Sequence, residues 1–159
     1  MQTAVVAWLV VAIHAWGARP EPAAGTPARA DLDARYETIA AEIVAVAFDA
    51  TEPPLYPGPQ GRARTALLLA SIDAHESRYE ERIARGRCHR GECDSGLAVG
   101  AYQIHAGQYG IRLVGERAAR CTSNAPDCLT AADLARDDVT QARVALHIIR
   151  TIGLGGFCG

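Results

Sequence analysis

RARTALLLASIDAHESRYEERIAR, residues Arg62 to Arg85, is the stretch on which the fold turns. Leu68, Ile72, Tyr79 and Ile83 recur at spacings that put them on one face of a helix, and Gly86 supplies a stop, so a continuous helix over Arg62–Arg85 is predicted. Glu76 shares that apolar face, lying one turn after Ile72 and one turn before Tyr79. Burial disfavours an ionised carboxylate and raises its pKa, which is how a general acid keeps its proton near neutral pH. The competing reading is a surface ion pair, because Arg78, Arg82, Arg85, Arg87 and Arg90 alternate here with Glu76, Glu80, Glu81, Glu92 and Asp94. That alternation reads as a solvated mixed-charge surface rather than a basic strip for a ligand.

Outward toward the N-terminus, Leu32, Tyr36, Ile39, Ile43 and Val46 predict an amphipathic helix over Asp31–Phe48. The Pro- and Gly-rich segment Thr51–Gly61 ends it. Residues 18–30, rich in Pro, Ala and Gly, are expected to be a flexible tether. Residues 1–17 carry no Lys, Arg, Asp or Glu, and their apolar run ends in Ala15-Trp16-Gly17. They read as a secretion signal too short to remain as a bilayer span.

Outward toward the C-terminus, Arg87–Gly110 is rich in Gly and Cys, and its apolar piece Leu97–Ile104 suits a brief strand or extended loop. A helix over Ile111–Arg120 and a polar loop over Thr122–Asp127 follow. Thr130 opens the last helix, with Asp133 placed for a capping box and Val139, Val144, Leu146 and Ile149 able to face the core. The fold class expected is α+β, mainly α, in one domain spanning 31–159.

The chain has 159 residues, 49% of them hydrophobic, and a net charge of −2, which suits one packed core and gives no electrostatic case for a nucleic acid or an anionic membrane. Cys88, Cys93, Cys121, Cys128 and Cys158 all lie in the last half of the chain. Behind an export signal they read as disulfides, and the short spacings make Cys88 with Cys93 and Cys121 with Cys128 candidates, although sequence alone does not choose among the pairings. Cys158 is then left over.

His75-Glu76-Ser77-Arg78-Tyr79 on a helix is followed by Val99-Gly100-Ala101-Tyr102-Gln103-Ile104. In order and spacing the two segments resemble the motifs of lytic transglycosylases of the soluble, SLT-like class. Those enzymes carry a helical Glu-Ser-x-aromatic motif and then a Gly-x-x-Gln-apolar motif. Glu76 falls on the family's catalytic glutamate, Ser77 and Tyr79 on the serine and aromatic after it, and Gly100, Gln103 and Ile104 on the second motif. The resemblance runs from about Thr65 to Ile152. It implies a lysozyme-like domain that cleaves the glycan strands of peptidoglycan between N-acetylmuramic acid and N-acetylglucosamine. It implies Glu76 as acid and base, with Ser77, Gly100, Tyr102 and Gln103 around the sugar. Tyr102 stands where the family often has Met and reads either as a sugar-stacking ring or as a core aromatic. The family's third motif, an Ala-Tyr-Asn-x-Gly-like segment, has no counterpart before Gly159, which reads as a fragment or a divergent member.

The export signal and the cysteines put the expected protein in the periplasm or the extracellular space; it is expected to be a monomer that needs no cofactor and no metal. A zinc-protease motif is not completed, since Tyr79 occupies the position four after His75 where a second His would bind. Cys88, His89 and Cys93 form a weaker metal candidate than a disulfide. Two alternatives stay open: a hydrolytic lysozyme with Asp94 or Glu92 as second carboxylate, and a non-catalytic, disulfide-stapled wall-binding module.

Overall fold

Thr26-Pro27 starts the first long amphipathic helix: the Thr26 side chain accepts a hydrogen bond from the Arg29 amide, and Pro27 occupies the first helical position, where a missing N–H costs nothing. The helix therefore begins four residues before the predicted Asp31, and the last part of the expected tether is its first turn. The computed structural model describes residues 1–17, 20–89, 93, 97–106, 109–122 and 124–157. They fall into two compact units, Met1–Tyr79 and Glu80–Gly159. Glu92, Asp94 and Cys158 lie outside the described residues.

The first unit is built from α1 (Gln2–Trp16), α2 (Pro27–Ala47) and α3 (Gly61–Glu76), each in contact with the other two. Leu9 and Ile13 of α1, Tyr36, Ala40 and Ile43 of α2, and Ala66, Leu69 and Ala70 of α3 are buried. Among the described residues no helix is long and apolar enough to cross a membrane. Gly17 permits the close approach of Tyr36, whose hydroxyl would lie 2.2 Å from an added Cβ. The Pro-rich connection after α2 is tied to α3 at its start and its middle. Arg62 Nη1 donates to the Ala47 and Asp49 carbonyls at 2.8 Å each, and the Leu55 amide donates to Thr65 Oγ1 at 3.0 Å.

The predicted helix over Arg62–Arg85 is in fact broken. α3 ends at Glu76, Arg78 and Tyr79 adopt left-handed backbone (φ 54° and 58°), and a separate short helix α4 covers Glu81–Ala84. No Gly or Pro announces the break. At the break the Ser77 side chain turns back onto Asp73, and its oxygen accepts the Tyr79 amide in place of a helical carbonyl.

In the second unit the predicted helix over Ile111–Arg120 is replaced by an antiparallel hairpin, β1 (Gly110–Val114) and β2 (Arg117–Cys121), with Val114 opposite Arg117. The two-residue connection places Gly115 at φ 57°, and a glycine at the first central position is what such a tight hairpin turn selects. Of the brief strand or extended loop expected over Leu97–Ile104, the structure forms the loop, closed by a single bridge between Val99 and Ile104. The one predicted final helix is two: α5 (Ala131–Leu134), opened by the expected Thr130–Asp133 capping box, and α6 (Asp138–Ile152), opened by Asp137. α6 packs on both strands, with Val144 and Leu146 fully buried. Disulfides join Cys88 to Cys93 and Cys121 to Cys128. The second closes the loop after β2, and Leu129 beyond it pairs with Ile111 of β1. The molecule is thus mainly helical α+β, with one two-stranded hairpin and two local disulfides among the described residues.

Candidate functional site

The two motifs fall in different units: Glu76 and Ser77 in the first, Gly100, Tyr102 and Gln103 in the second. Each half has its own local logic.

Glu76 is the last residue of α3, and its side chain is 16% exposed. Its Oε1 lies 3.2 Å from Nδ1 of His75, whose own side chain is 76% exposed. No arginine pairs with Glu76 among the described residues, so the surface ion pair weighed against a functional role is not formed there. The helix end beneath it is fixed by a buried polar chain. The Ser77 hydroxyl faces both the carbonyl (3.1 Å) and the carboxylate of Asp73, and accepts from the Tyr79 amide at 3.0 Å. Tyr79 then reaches back, its hydroxyl donating to the Ala70 carbonyl at 2.7 Å. Burial pushes the Tyr79 phenol far above its ordinary range, and the Asp73 carboxylate adds to the shift. The left-handed pair Arg78–Tyr79 is held by these bonds, so Glu76 is presented from a fixed helix terminus. Ser77, expected among the sugar contacts, is fully buried and spends its hydrogen bonds inside the protein.

In the second unit, residues Val99 to Ile104 form a closed turn, with Val99 and Ile104 exchanging backbone hydrogen bonds of 3.1 and 2.8 Å. Gly100 (φ 83°) and Gln103 (φ 45°) are both left-handed. The Gly100 carbonyl accepts from the Gln103 amide at 3.1 Å and from its side-chain Nε2 at 2.9 Å. That contact orients the Gln103 side-chain amide. Its Oε1 is left as an acceptor with no partner among the described residues, suited to an O–H or N–H of a ligand. Tyr102 is 2% exposed and takes the core-aromatic alternative, not the sugar-stacking one.

Two residues that sequence reasoning passed over hold the two motifs, each within its own unit. Asp73 lies one turn before Ser77 on the buried side of α3, and Gln141 lies on the inner face of α6, fully buried. Each is a polar residue on an otherwise apolar stripe, and that was the available signal. Among the described residues no cluster of His, Cys, Asp and Glu is arranged to hold a metal. Comparison of the chain with protein-family models, with curated proteins and with solved structures finds no match.

Proposed function

We propose that the chain is a lysozyme-like lytic transglycosylase that cleaves the β-1,4 bond between N-acetylmuramic acid and N-acetylglucosamine in peptidoglycan. The observation that carries the reading is Glu76: a largely enclosed carboxyl, unpaired with any described arginine, at the end of a helix locked by Asp73, Ser77 and Tyr79. The free acceptor on Gln103 supports it from the second motif.

In this mechanism Glu76 donates its proton to the glycosidic oxygen as the bond from the muramyl C1 to that oxygen breaks, and the N-acetylglucosamine leaves as an alcohol. The cationic muramyl centre is stabilised by its own 2-acetamido group. The C6 hydroxyl of the same sugar then attacks C1 and returns its proton to the Glu76 carboxylate. A 1,6-anhydro ring forms, no water is consumed, and Glu76 is restored as an acid. One carboxyl suffices, in contrast to glycosidases that need two. Action outside the cytoplasm belongs to the same proposal and is supported by the two disulfides, which persist in oxidising compartments. Incubation with purified sacculi tests the reading, since soluble muropeptides with anhydro ends are its expected product.

A further inference from the structure

Gln141 makes more polar contacts than any single sugar-facing role in the second unit would require, and all of them are internal. Its Oε1 accepts from the Ala101 amide at 2.5 Å. Its Nε2 faces the Leu134 carbonyl at 2.5 Å, the Asp138 carboxylate at 3.0 Å and the Ala84 carbonyl at 3.3 Å. These partners fix which end of the amide is which: an N–H needs the oxygen, and two carbonyls and a carboxylate need the NH₂. The same side chain packs under Gly100, where an added Cβ would fall 2.4 Å from Gln141 Oε1. On the far side of the hub Arg85 pairs with Asp138 through two bonds of 3.0 and 2.9 Å.

We infer that Gln141 is a positioning residue that sets the Gly100–Gln103 turn and thereby aims the free Gln103 acceptor at the ligand. This rests on the reading of Gln103 as a glycan contact. The turn contains a non-glycine residue in left-handed backbone, a conformation that persists only when its surroundings determine it. The Ala101 amide lies between the two glycan-motif residues, and Gln141 is its acceptor. Without that acceptor the amide is buried and unpaired, and the turn gains by rearranging.

The test uses the full chain and three variants: Gln141→Met, which keeps length and volume but removes the amide, Gln103→Ala, and the two combined. Hydrogen exchange at the Ala101 amide reads the turn directly, and cleavage of solubilised glycan strands reads its consequence. In Gln141→Met, Ala101 exchange should accelerate at least about tenfold, and KM should rise about tenfold with kcat within about twofold, the signature of a lost binding contact. Adding Gln103→Ala should raise KM no further, because the misaimed contact is already absent. Native protection of Ala101 in Gln141→Met, or fully additive effects in the double variant, overturns the inference. If Gln141→Met does not fold, Gly100→Ala approaches the same contact from the turn and should raise KM in the same way; a wild-type KM there overturns it equally. A wild-type chain that cleaves no glycan refutes the functional reading instead, and exchange at Ala101 still decides whether Gln141 holds the turn.

Discussion

The Ser77 hydroxyl donates to the carboxylate of Asp73 one helical turn earlier, and both side chains are buried at the end of the helix that carries Glu76. Ser77 also accepts from the Tyr79 amide, so its removal strips a donor from a buried carboxylate and an acceptor from a buried N–H. Ser77→Ala should therefore lower the unfolding free energy by about 1–3 kcal/mol. Urea denaturation measures it, and an unchanged midpoint with an unchanged slope would show that the chain of bonds does not hold this helix end.

Tyr79 gives the first unit an alkaline limit. Burial, then Asp73, raises its folded-state pKa above the ordinary phenol value, so between the unfolded and folded values the native state binds more protons than the unfolded state. The stabilisation is fully present below about pH 10 and is lost progressively as pH rises above it. Tyr79→Phe removes this term together with one buried hydrogen bond. It should be less stable by about 1 kcal/mol at neutral pH and should lose stability less steeply at alkaline pH. Equal alkaline slopes for the two proteins would contradict the assignment.

Much of this architecture was legible in periodicity and capping residues, but the places where the reading failed share a physical cause. The capping box of Thr130 and Asp133 and the buried face of Tyr36, Ile43 and Val46 are local signals, and both appear as expected. The break after Glu76 has no Gly or Pro to mark it; it depends on a side chain preferring its own backbone, which composition does not reveal. The hairpin at Gly110–Cys121 looked helical because Ala, Arg and Leu are good helix formers. Its deciding features are Gly115 at the turn and the pairing of Ile111 with Leu129, the second of which is non-local. For the site, residue types and spacing singled out Glu76 and Gln103. They did not separate residues that face outward from those, such as Ser77 and Tyr102, that the fold buries.

Asp137 caps α6, accepting from the Val139 amide at 3.1 Å and from the Thr140 hydroxyl. The Thr140 bond holds its carboxyl below the usual range, with the Val139 amide contributing. A depressed folded-state pKa stabilises above the unfolded value and stops doing so as pH falls through the folded one. Asp137→Ala should cost about 1 kcal/mol at pH 7, and the gap from wild type should narrow below about pH 4. A gap that is constant down to acid unfolding would contradict the capping role.

The Cys121–Cys128 bond closes the loop that returns the chain from β2 to Leu129. Replacing both cysteines with serine should lower stability by about 2–3 kcal/mol, as expected for a loop this short. Peptide mapping without reductant should recover Cys121 linked to Cys128 and Cys88 linked to Cys93. Free thiols at these positions, or zinc bound to them, would contradict both the staples and the proposed oxidising compartment.

Glu76→Gln tests the central claim. Glutamine keeps the size and most of the polarity of the side chain but has no acidic proton to give and cannot take one back, and general acid–base catalysis contributes about 10² to 10⁴ in rate. Because the proposed mechanism uses one carboxyl in both steps, the loss should lie at or beyond the upper end of that range, with stability within about 1 kcal/mol of wild type. Mass spectrometry of fragments released from purified sacculi reads the outcome. Wild type should release muropeptides with 1,6-anhydromuramyl ends, lighter by one water than hydrolysed ends, and a folded Glu76→Gln should release none. Wild type that binds sacculi yet releases no fragments, or a Glu76→Gln variant that cleaves as well as wild type, would contradict it.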